Sequence, residues 1–404
     1  MGSRVILCLN SGSSSFKFAL YRIGHGHKRI GDQKDEELLL AQGAVERENS
    51  GETQTARLWI HSPQGKIEKT ISDMTSAPAA LHAAASEIER INLPEPAAVG
   101  HRIVHGGPNH AAPERISPAL LEDLRGLIPF APLHLPDEIA AIEAVAATPR
   151  LADIPQIACF DTAFHHAMPE VARRFPIPRA LWDQGVRRYG FHGISYEYIM
   201  RTLGDQPPAR VIVAHLGNGA SMAAVKDGRS LDTTMGFTPT GGFMMGTRSG
   251  DLDPGIVLYL MNEKKYDATA LARLVNHESG LLGVSGVSSD MKTLLERRGS
   301  DDLHAAAIAI EMFCYELRKQ IGAYAAALGG LDLMVFTGGI GERAAPVRWE
   351  TCEGLEHLGI SLDRDRNDAN ADTISAADSR CQVRVIPTNE DLMIARHTDR
   401  VCGD

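Results

Sequence analysis

The sequence predicts a layered α/β protein in two related halves. Segments with the alternating apolar pattern of strands are separated by longer helical segments, which is typical of layered α/β domains. A hairpin pattern at 5–23 occurs a second time at 211–234. The chain has 404 residues, of which 44% are apolar. This is enough for two or three domains of roughly 100 to 200 residues each.

The two hairpins share the order strand, polar turn, strand. In the first, VILCL at 5–9 leads through NSGSSS to FKFALYRI at 16–23. In the second, VIVAHL at 211–216 leads through GNGAS to MAAV, and a turn at Asp227-Gly228 is followed by the strand RSLDTT. Asp-Gly is a typical hairpin turn. We interpret the repetition as a structural duplication.

Helices are predicted between and after the two hairpins. Alanine-rich segments at 79–92 and 137–147 have helical composition. A long amphipathic helix is predicted from about Asp301 to Leu328, with Ser300 or Asp301 as its N-cap and Gly329-Gly330 as its stop. The buried strand LMVF follows, and the glycine turn TGGIGER after it is expected to begin another helix.

Composition narrows the class of protein. The six cysteines, at 8, 159, 314, 352, 381 and 402, form no CxxC pair, so neither a zinc site nor a disulfide framework is predicted and a reducing cytoplasm is expected. The apolar run at 5–9 is too short for a signal peptide, and no stretch reaches the ~18 apolar residues of a membrane span. A net charge of −10 argues against nucleic-acid and anionic-membrane partners. An anionic ligand therefore needs positive charge placed locally.

Glycine-rich loops are the candidates for a phosphate site. Neither a Walker A loop nor GxGxxG occurs, so P-loop and Rossmann interpretations lack support. The turn NSGSSS offers backbone amides and hydroxyls that can hold phosphate oxygens, although a plain hairpin turn also explains one such loop. The second loop, HLGNGAS, favours phosphate binding. Two such loops facing each other would clamp a triphosphate between domains, with GGIG at 338–341 close to the adenosine.

This layout is that of the actin-like ATPase and sugar-kinase superfamily, and a set of segments makes the resemblance specific. In chain order, from 10 to 396, they are NSGSSSFK, GHRIVHGG, APLHLP, FDTAFHHAMP, RRYGFHG, HLGNGAS, GFTPTGGFMMGTRSG, SGLLGVSG, FTGGIGER and IPTNEDLMIAR. Many matched segments in order are far more specific than one motif. Together they closely resemble the acetate kinase family.

The resemblance implies a fold and a domain organisation. The fold is the two-domain actin-like (ribonuclease H-like) α/β fold with a duplicated βββαβαβα core, and the protein is expected to be a homodimer with a cleft between its two domains. The amino-terminal domain, 1–165 plus 391–404, would carry the acyl substrate and a phosphate loop. The C-terminal domain, 166–390, would carry the nucleotide-binding residues.

The resemblance also implies a reaction. It is the reversible, in-line transfer of the γ-phosphoryl of ATP to acetate, giving acetyl phosphate and ADP, with Mg²⁺ or in its place Mn²⁺. Acetate is already ionised at pH 7, because carboxyl pKa values lie at about 4, so the nucleophile needs no strong general base. Catalysis then depends on positioning and on charge neutralisation. Two alternatives stay open, a kinase for propionate or another short-chain fatty acid and a non-catalytic actin-like ATP switch.

Four residues match the catalytic residues of the family. Arg102 in GHRIVHGG and Arg248 in GTRSG have guanidinium groups that suit carboxylate and phosphoryl oxygens. His192 in YGFHG matches a histidine that contacts the transferring group. Asp161 in FDTAFHH is expected to orient Arg102 or Arg248, and its alternative role is a helix N-cap.

Other matched residues are expected to surround the ligands. The acyl group would meet Val104, Leu133 and Pro239 beside Arg102, and the metal would meet Asn10 and Glu390, since Mg²⁺ takes one or two protein carboxylates and keeps several waters. Val104, two residues after Arg102, would point to the same face of an extended segment. The residues expected at the nucleotide and its phosphates are Ser13, Ser15, Lys17, His215, Leu216, Gly217, Asn218, Gly219, Asp290, Met291, Lys292, Gly338, Gly339, Ile340 and Gly341.

The chain departs from the family pattern near the adenosine. It has Asp290-Met291-Lys292 where Asp-Phe-Arg is common, Arg343 where Asn is common, and Thr240-Gly241-Gly242 where Leu-Glu-Gly is common. Loss of an aromatic plane predicts looser base discrimination. His134, His165 and His166 match no standard metal-ligand spacing, and packing roles are favoured for all except His134.

Overall fold

The computed structural model describes residues 3–11, 15–24, 37–50, 53–72, 77–298 and 304–403. The chain divides into two compact units, Met1–Ala163 with Asn389–Asp404 (unit 1) and Phe164–Thr388 (unit 2). Both boundaries lie two residues before the predicted ones. Glu390 therefore belongs to unit 1, whereas the predicted boundary placed it in the second domain.

Unit 1 contains a mixed sheet of eight strands in its described residues. The strands are β1 (Arg4–Ser11), β2 (Ser15–Ile23), β3 (Glu37–Ser50), β4 (Thr53–Ser62), β5 (Gly65–Ser72), β6 (Ala98–Ile103), β7 (Glu114–Arg115) and β8 (Gln156–Phe160). Their order is β5-β4-β3-β2-β1-β6-β8-β7. β1 to β5 form an antiparallel meander, whereas β1, β6 and β8 are parallel neighbours.

The first three helices of the chain belong to this unit, and two of them pack on the sheet. They are α1 (Ala77–Arg90), α2 (Pro118–Gly126) and α3 (Leu135–Ala147). α1 and α3 correspond to the alanine-rich segments at 79–92 and 137–147, and each begins two residues earlier than predicted. Leu81 of α1 and Val145 of α3 belong to one apolar cluster with Leu58 and Ile60 of the sheet. Burial of this face of each helix stabilises the layer, at about 25 cal/mol per Å² of apolar surface.

Unit 2 repeats the central strand order of unit 1. Its strands are β9 (Arg210–Leu216), β10 (Ala220–Lys226), β11 (Arg229–Thr233), β12 (Leu333–Thr337) and β13 (Gln382–Val385). Their order is β11-β10-β9-β12-β13, in which β9 to β11 are antiparallel and β9, β12 and β13 are parallel. The order β3-β2-β1-β6-β8 in unit 1 is the same. The predicted duplication of one α/β core is thereby confirmed.

The helices of unit 2 lie before and between these strands. They are α4 (Glu170–Arg173), α5 (Arg179–Asp183), α6 (Gly193–Thr202), α7 (Pro254–Asn262), α8 (Ala268–His277), α9 (Gly280–Ser285), α10 (Met291–Arg297), α11 (His304–Leu328), α12 (Gly338–Arg343), α13 (Ala345–Cys352) and α14 (Arg364–Asp368). α11 ends before Gly329-Gly330 as predicted, and its predicted N-cap at Ser300 or Asp301 lies outside the described residues. The turn TGGIGER begins α12, also as predicted.

The last helix, α15 (Glu390–Gly403), returns the chain to unit 1. It packs closely on β6 at Gly100, where a Cβ atom would overlap the side chains of Thr398 and Ile394. This close approach requires glycine and places Glu390, the first residue of α15, in the same unit as β6. Among the described residues, no helix has both the length and the apolar character needed to cross a bilayer.

Candidate active site

The carboxyl ends of three parallel strands in unit 1 bring polar side chains together. Asn10 lies near the end of β1, Arg102 near the end of β6, and Asp161 directly after β8. Arg102 donates from Nε to Asp161 Oδ1 at 3.1 Å and from Nη2 to Asp161 Oδ2 at 2.5 Å. Its Nη1 donates to Asn10 Oδ1 at 3.1 Å. Asp161 is buried and uses both oxygens on Arg102, so it orients this arginine.

Electrostatics keep Arg102 charged. Burial by itself would lower the pKa of the guanidinium, but the carboxylates of Asp161 and Glu390 outweigh burial and raise that pKa above its ordinary value. A bidentate, charge-assisted pair of this kind fixes the plane of the guanidinium. The group is therefore held in one orientation and stays cationic at any pH at which the protein folds.

Glu138 is a site residue that the sequence did not reveal. It lies on α3, is 2% exposed, and accepts the Val104 N–H at 3.1 Å and 3.3 Å through its two carboxylate oxygens. Burial raises the pKa of Glu138 to about 8, although the Val104 amide and Arg102 act in the opposite direction. The available signal was an acid on the apolar face of a helix that begins at the end of APLHLP.

We expect the free energy of unfolding to fall less between pH 5 and pH 8.5 in Glu138→Gln than in the wild type. The folded-state pKa is raised above the ordinary 4.5 to about 8, so the stability from this group is full below pH 4.5 and is lost as the pH rises towards 8. Glutamine stays neutral and removes that loss, on the order of 4 kcal/mol at about 1.4 kcal/mol per pH unit between pH 5 and 8. The measurement is the free energy of unfolding in denaturant at each pH.

A matched control for this experiment lies on the same helix. Glu143 is exposed and pairs with Arg125, so Glu143→Gln should leave the pH dependence of the wild type in place. If the free energy of unfolding changed with pH by the same amount in the wild type and in Glu138→Gln, the prediction would be contradicted.

The residues expected around the acyl group are placed in both units. Val104 follows the last residue of β6, in a bend, so the strand alternation that predicted its direction does not apply to it. It is 3% exposed. Leu133 is half-buried in the turn before α3 in unit 1, whereas Pro239 is buried in unit 2. The Pro239 carbonyl accepts a hydrogen bond from Arg248 Nη1 at 3.1 Å.

The two residues expected at the metal are both partly exposed and both belong to unit 1. Asn10 Oδ1 accepts from Arg102 and keeps a second lone pair, and Glu390 acts electrostatically on the same arginine. Among the described residues, no group of three or more His, Cys, Asp or Glu side chains forms a metal cage. One carboxylate and one amide oxygen suit a magnesium ion that takes its other ligands from water and phosphate.

In unit 2, His192 and Arg248 converge on the loop after β9. A Cβ atom on Gly219 would lie 3.4 Å from His192 Nε2 and 3.5 Å from Arg248 Nη1. His192 has a left-handed backbone with φ 57° immediately before α6, an unusual conformation for a residue other than glycine. Its ring stacks on His215 with centroids 4.3 Å apart. An imidazole and a guanidinium therefore face the same space beside Gly219.

The loops after β9 and β12 lie side by side, because Thr337 pairs with His215 at the ends of these parallel strands. Gly338 has φ +76°, and a Cβ there would lie 2.8 Å from the Leu216 carbonyl oxygen. Gly338 is therefore required for the close approach of the two loops. Glu342 Oε1 accepts the Gly338 N–H at 3.0 Å, which holds the start of α12.

The remaining loop residues of unit 2 also make local contacts. The Gly217 N–H donates to the Gly219 carbonyl at 3.0 Å, and the Gly246 N–H donates to the Asn218 carbonyl at 3.1 Å. Gly339, Ile340 and Gly341 lie in the first turn of α12. The four amide groups at 338–341 thus lie at a helix start, next to the loop after β9.

The residues expected near the adenosine differ in accessibility. Asp290 caps α10 by accepting the Thr293 N–H at 2.9 Å. Met291 is 2% exposed, so its side chain packs in the interior, and its role at the nucleotide stays a prediction. The Lys292 side chain is 83% exposed and lies 3.9 Å from Glu296. α10 turns Met291 inward, and the sequence motif could not reveal this direction.

The expected phosphate-loop residues of unit 1 are only partly described. Ser15 begins β2, and the exposed Lys17 is paired in register with Asn10. Ser13 lies outside the described residues. His165, for which packing was favoured, is buried, with Nδ1 2.8 Å from Ser230 Oγ and Nε2 3.0 Å from the Phe191 carbonyl oxygen. Burial lowers the pKa of His165 to about 4, so the ring is neutral.

These features define a class of protein, an α/β protein with a duplicated core whose strand ends carry guanidinium, imidazole and backbone N–H donors for anionic ligands. The family model described as the acetokinase family matches residues 5–396. The chain belongs to the acetokinase family.

Individual relatives agree with this assignment. The chain is 47% identical to an acetate kinase of Rhodopseudomonas palustris, over 99% of this chain and 98% of that one. It is 46% identical to an acetate kinase of Methylocella silvestris, over 98% and 97%. Among solved structures it is similar to Porphyromonas gingivalis acetate kinase, with a TM-score of 0.84, 37% identity, and 99% and 100% of the chains covered. It is also similar to a propionate kinase from Francisella tularensis, with a TM-score of 0.87, 36% identity and the same coverage.

Proposed function

We propose that this protein is an acetate kinase, which transfers a phosphoryl group reversibly between ATP and acetate. The observation that carries the proposal is the convergence of His192 Nε2 and Arg248 Nη1 beside Gly219, at the end of a strand in an actin-like fold. The guanidinium of Arg102, fixed by Asp161 at the corresponding strand ends of unit 1, supplies a second cationic group. The names of the relatives support acetate as the acceptor.

In the proposed reaction an acetate oxygen attacks the γ-phosphorus of ATP. A new O–P bond forms as the bond from the γ-phosphorus to the β,γ-bridging oxygen breaks, and ADP leaves with that electron pair. No proton is removed, because acetate is ionised at neutral pH. Arg102 holds the carboxylate, while Arg248 and His192 stabilise the charge on the transferred group. Positioning and charge neutralisation thus carry the catalysis.

The loops of unit 2 are proposed to hold the nucleotide. The loop from His215 to Gly219 and the amides of α12 lie at neighbouring strand ends, a position that suits phosphate oxygens. Asn10 and Glu390 would hold Mg²⁺, or Mn²⁺ in its place. The bound metal would neutralise charge on the β- and γ-phosphates.

A hydroxamate assay tests the proposed function. Hydroxylamine traps acyl phosphates, so the protein with MgATP and acetate is expected to yield acetohydroxamate. A non-catalytic ATP switch would yield none with any acid. A propionate kinase is the second candidate, because the structure is also similar to a propionate kinase from Francisella tularensis. This alternative predicts faster turnover with propionate than with acetate.

Val104→Ala is expected to improve kcat/KM for propionate relative to acetate by several-fold, mainly through KM. One methylene in a fixed apolar pocket is worth ~1 to 3 kcal/mol, so a smaller wall residue should admit the longer acid. The measurement is kcat/KM for acetate, propionate and butyrate. Val99→Ala is the matched control, because Val99 is buried on β6, the strand that precedes Val104, and lies away from the carboxyl end of that strand. An unchanged ratio in Val104→Ala would remove this residue from the acyl pocket.

Glu390→Ala is expected to raise the Mg²⁺ concentration needed for half-maximal rate, with a smaller change in KM for acetate. The reason is that Glu390 is the carboxylate proposed to hold the metal. The measurement is a Mg²⁺ titration at saturating ATP and acetate. Asp399→Ala on the same helix removes a carboxylate that pairs with Arg4 and should leave the titration unchanged. Identical titrations for Glu390→Ala and wild type would contradict the assignment.

We further propose that the protein is cytoplasmic and acts as a homodimer, without nucleic-acid or membrane partners. The net charge of −10 argues against nucleic-acid and anionic-membrane partners. The lack of a CxxC pair among the six cysteines supports a reducing compartment. α7 and α8 contain no buried side chains, and α7 exposes Leu258, Tyr259 and Met261. Such an apolar face is suited to a second copy of the chain, and light scattering measures the resulting mass.

A further inference from the structure

A buried chain of hydroxyl groups ends on the imidazole of His192. Tyr196, on α6, has its hydroxyl 2.5 Å from Ser221 Oγ, and Ser221, on β10, has the same oxygen 2.8 Å from His192 Nδ1. Tyr196 and Ser221 are fully buried, and His192 is 9% exposed. The other ring nitrogen, Nε2, faces the space beside Gly219 that Arg248 also faces. The hydroxyl chain therefore lies behind the histidine, on the side away from that space.

We propose that Tyr196 and Ser221 select the Nε2–H tautomer of His192, so that a hydrogen-bond donor faces the transferred phosphoryl group. Ser221 has one proton and contacts two groups, and it can donate to only one of them. A phenol, with a pKa of about 10, is a stronger donor and a weaker acceptor than an alkyl hydroxyl. Tyr196 thus donates to Ser221, and Ser221 donates to Nδ1. Neutral imidazole with Nδ1 as acceptor carries its proton on Nε2.

The consequence for catalysis rests on the proposed function. An Nε2–H group can donate to a phosphoryl oxygen as charge develops there, whereas the other tautomer would present a lone pair and repel it. Tyr196 and Ser221 act through His192, so they are positioning residues.

The contacts of His215, which stacks on His192, agree with the proposed tautomer of His192. His215 stacks on His192, and its Nδ1 lies 2.8 Å from Ser195 Oγ, which donates to Thr388 Oγ1 at 2.9 Å. With its proton used on Thr388, Ser195 accepts from His215 Nδ1–H. The two stacked rings would then be neutral and of opposite tautomer, which avoids two positive charges with ring centroids 4.3 Å apart. Adjacent residues of α6, Ser195 and Tyr196, thus set both rings.

The first test compares two amide replacements at position 192. The amide nitrogen of glutamine can take the position of Nε2, whereas that of asparagine lies near Nδ1. His192→Gln is therefore expected to retain at least about 10-fold more kcat than His192→Asn. Asparagine adopts the left-handed backbone at this position more readily than glutamine does, so backbone preference works against the expected result. A kcat for His192→Asn equal to or above that of His192→Gln overturns the proposal.

The second test is a double-mutant cycle. Ser221→Ala is expected to lower kcat by roughly 10 to 100-fold in the wild type, the range typical when a partner that orients a histidine is lost. In the His192→Gln background there is no tautomer to select, so the same change should cost less than about 3-fold. Tyr196→Phe, which keeps the ring, should show the same dependence on His192 with a smaller factor. A loss of equal size in both backgrounds means that these residues act only on packing, and it overturns the proposal.

Ser230→Ala is the matched control. It also removes a buried serine hydroxyl that lies 2.8 Å from a histidine Nδ1, but the histidine is His165, which does not contact Tyr196–Ser221–His192 through this hydroxyl. It should change kcat by less than about 3-fold in either background. Acetohydroxamate formation by the wild type tests the proposed function separately. If the wild type is active and the double-mutant cycle gives equal losses in both backgrounds, the tautomer proposal is overturned and the proposed function is not.

Discussion

Arg102→Ala is expected to lower kcat by at least about 100-fold, the scale of losing one preorganised group that stabilises charge in a transition state. Arg102 is held by the two hydrogen bonds that it donates to Asp161 and the one that it donates to Asn10. Because its orientation is set before substrate binds, no reorganisation is needed during the reaction. The measurement is steady-state kcat and KM for acetate with purified protein.

The same variant is also expected to be less stable. Removal of Arg102 leaves the carboxylate of Asp161, which is 0% exposed, buried without its cation, and breaking a buried pair in this way costs roughly 3 to 5 kcal/mol. The double variant Arg102→Ala with Asp161→Asn removes that charge. It should recover stability without recovering kcat. Near-normal turnover in the folded double variant would exclude Arg102 from the transition state.

Arg248→Ala is expected to lower kcat by a similar factor, again at least about 100-fold. Its Nη1 faces the space beside Gly219 together with His192 Nε2, so the variant removes one of two converging groups. Arg248→Lys should recover little of the loss, because an ammonium group cannot reproduce the planar fork of a guanidinium. The measurement is kcat in both reaction directions.

A surface arginine of the same unit provides the comparison for Arg248. Arg201 pairs with Glu197 on the exposed face of α6, and Arg201→Ala should leave kcat within about 2-fold, as is usual for exposed ion pairs. Equal rates for Arg248→Ala and Arg201→Ala would refute the catalytic assignment of Arg248.

Several parts of the fold could be predicted from the sequence because local patterns specify them. Alternating apolar residues and an Asp-Gly turn predict the second hairpin, and the structure has β9, β10 and β11 in these segments. Gly329-Gly330 predicts the end of α11, because glycine readily takes the left-handed conformation after a helix. Each of these features depends on residues that are near one another in the chain.

Predictions that depended on side-chain direction were less reliable. Val104 was expected on an extended strand, but β6 ends one residue earlier and Val104 lies in a bend. For Met291, expected beside the nucleotide, the sequence did not reveal that its side chain packs in the interior. A motif specifies which residues occur at a position, whereas the packing of the whole element decides which of them reach a ligand.

The sequence by itself determined the α/β class, the duplicated core and the family, since strand and helix periods and the ordered motifs are properties of the chain alone. Only the tertiary structure decided which side chains meet. It paired Arg102 with Asp161 and placed the Glu138 carboxylate against the Val104 N–H. It also joined Tyr196 to His192 through Ser221. These contacts join separate elements, and their geometry follows from strand register and helix packing, which no local pattern encodes.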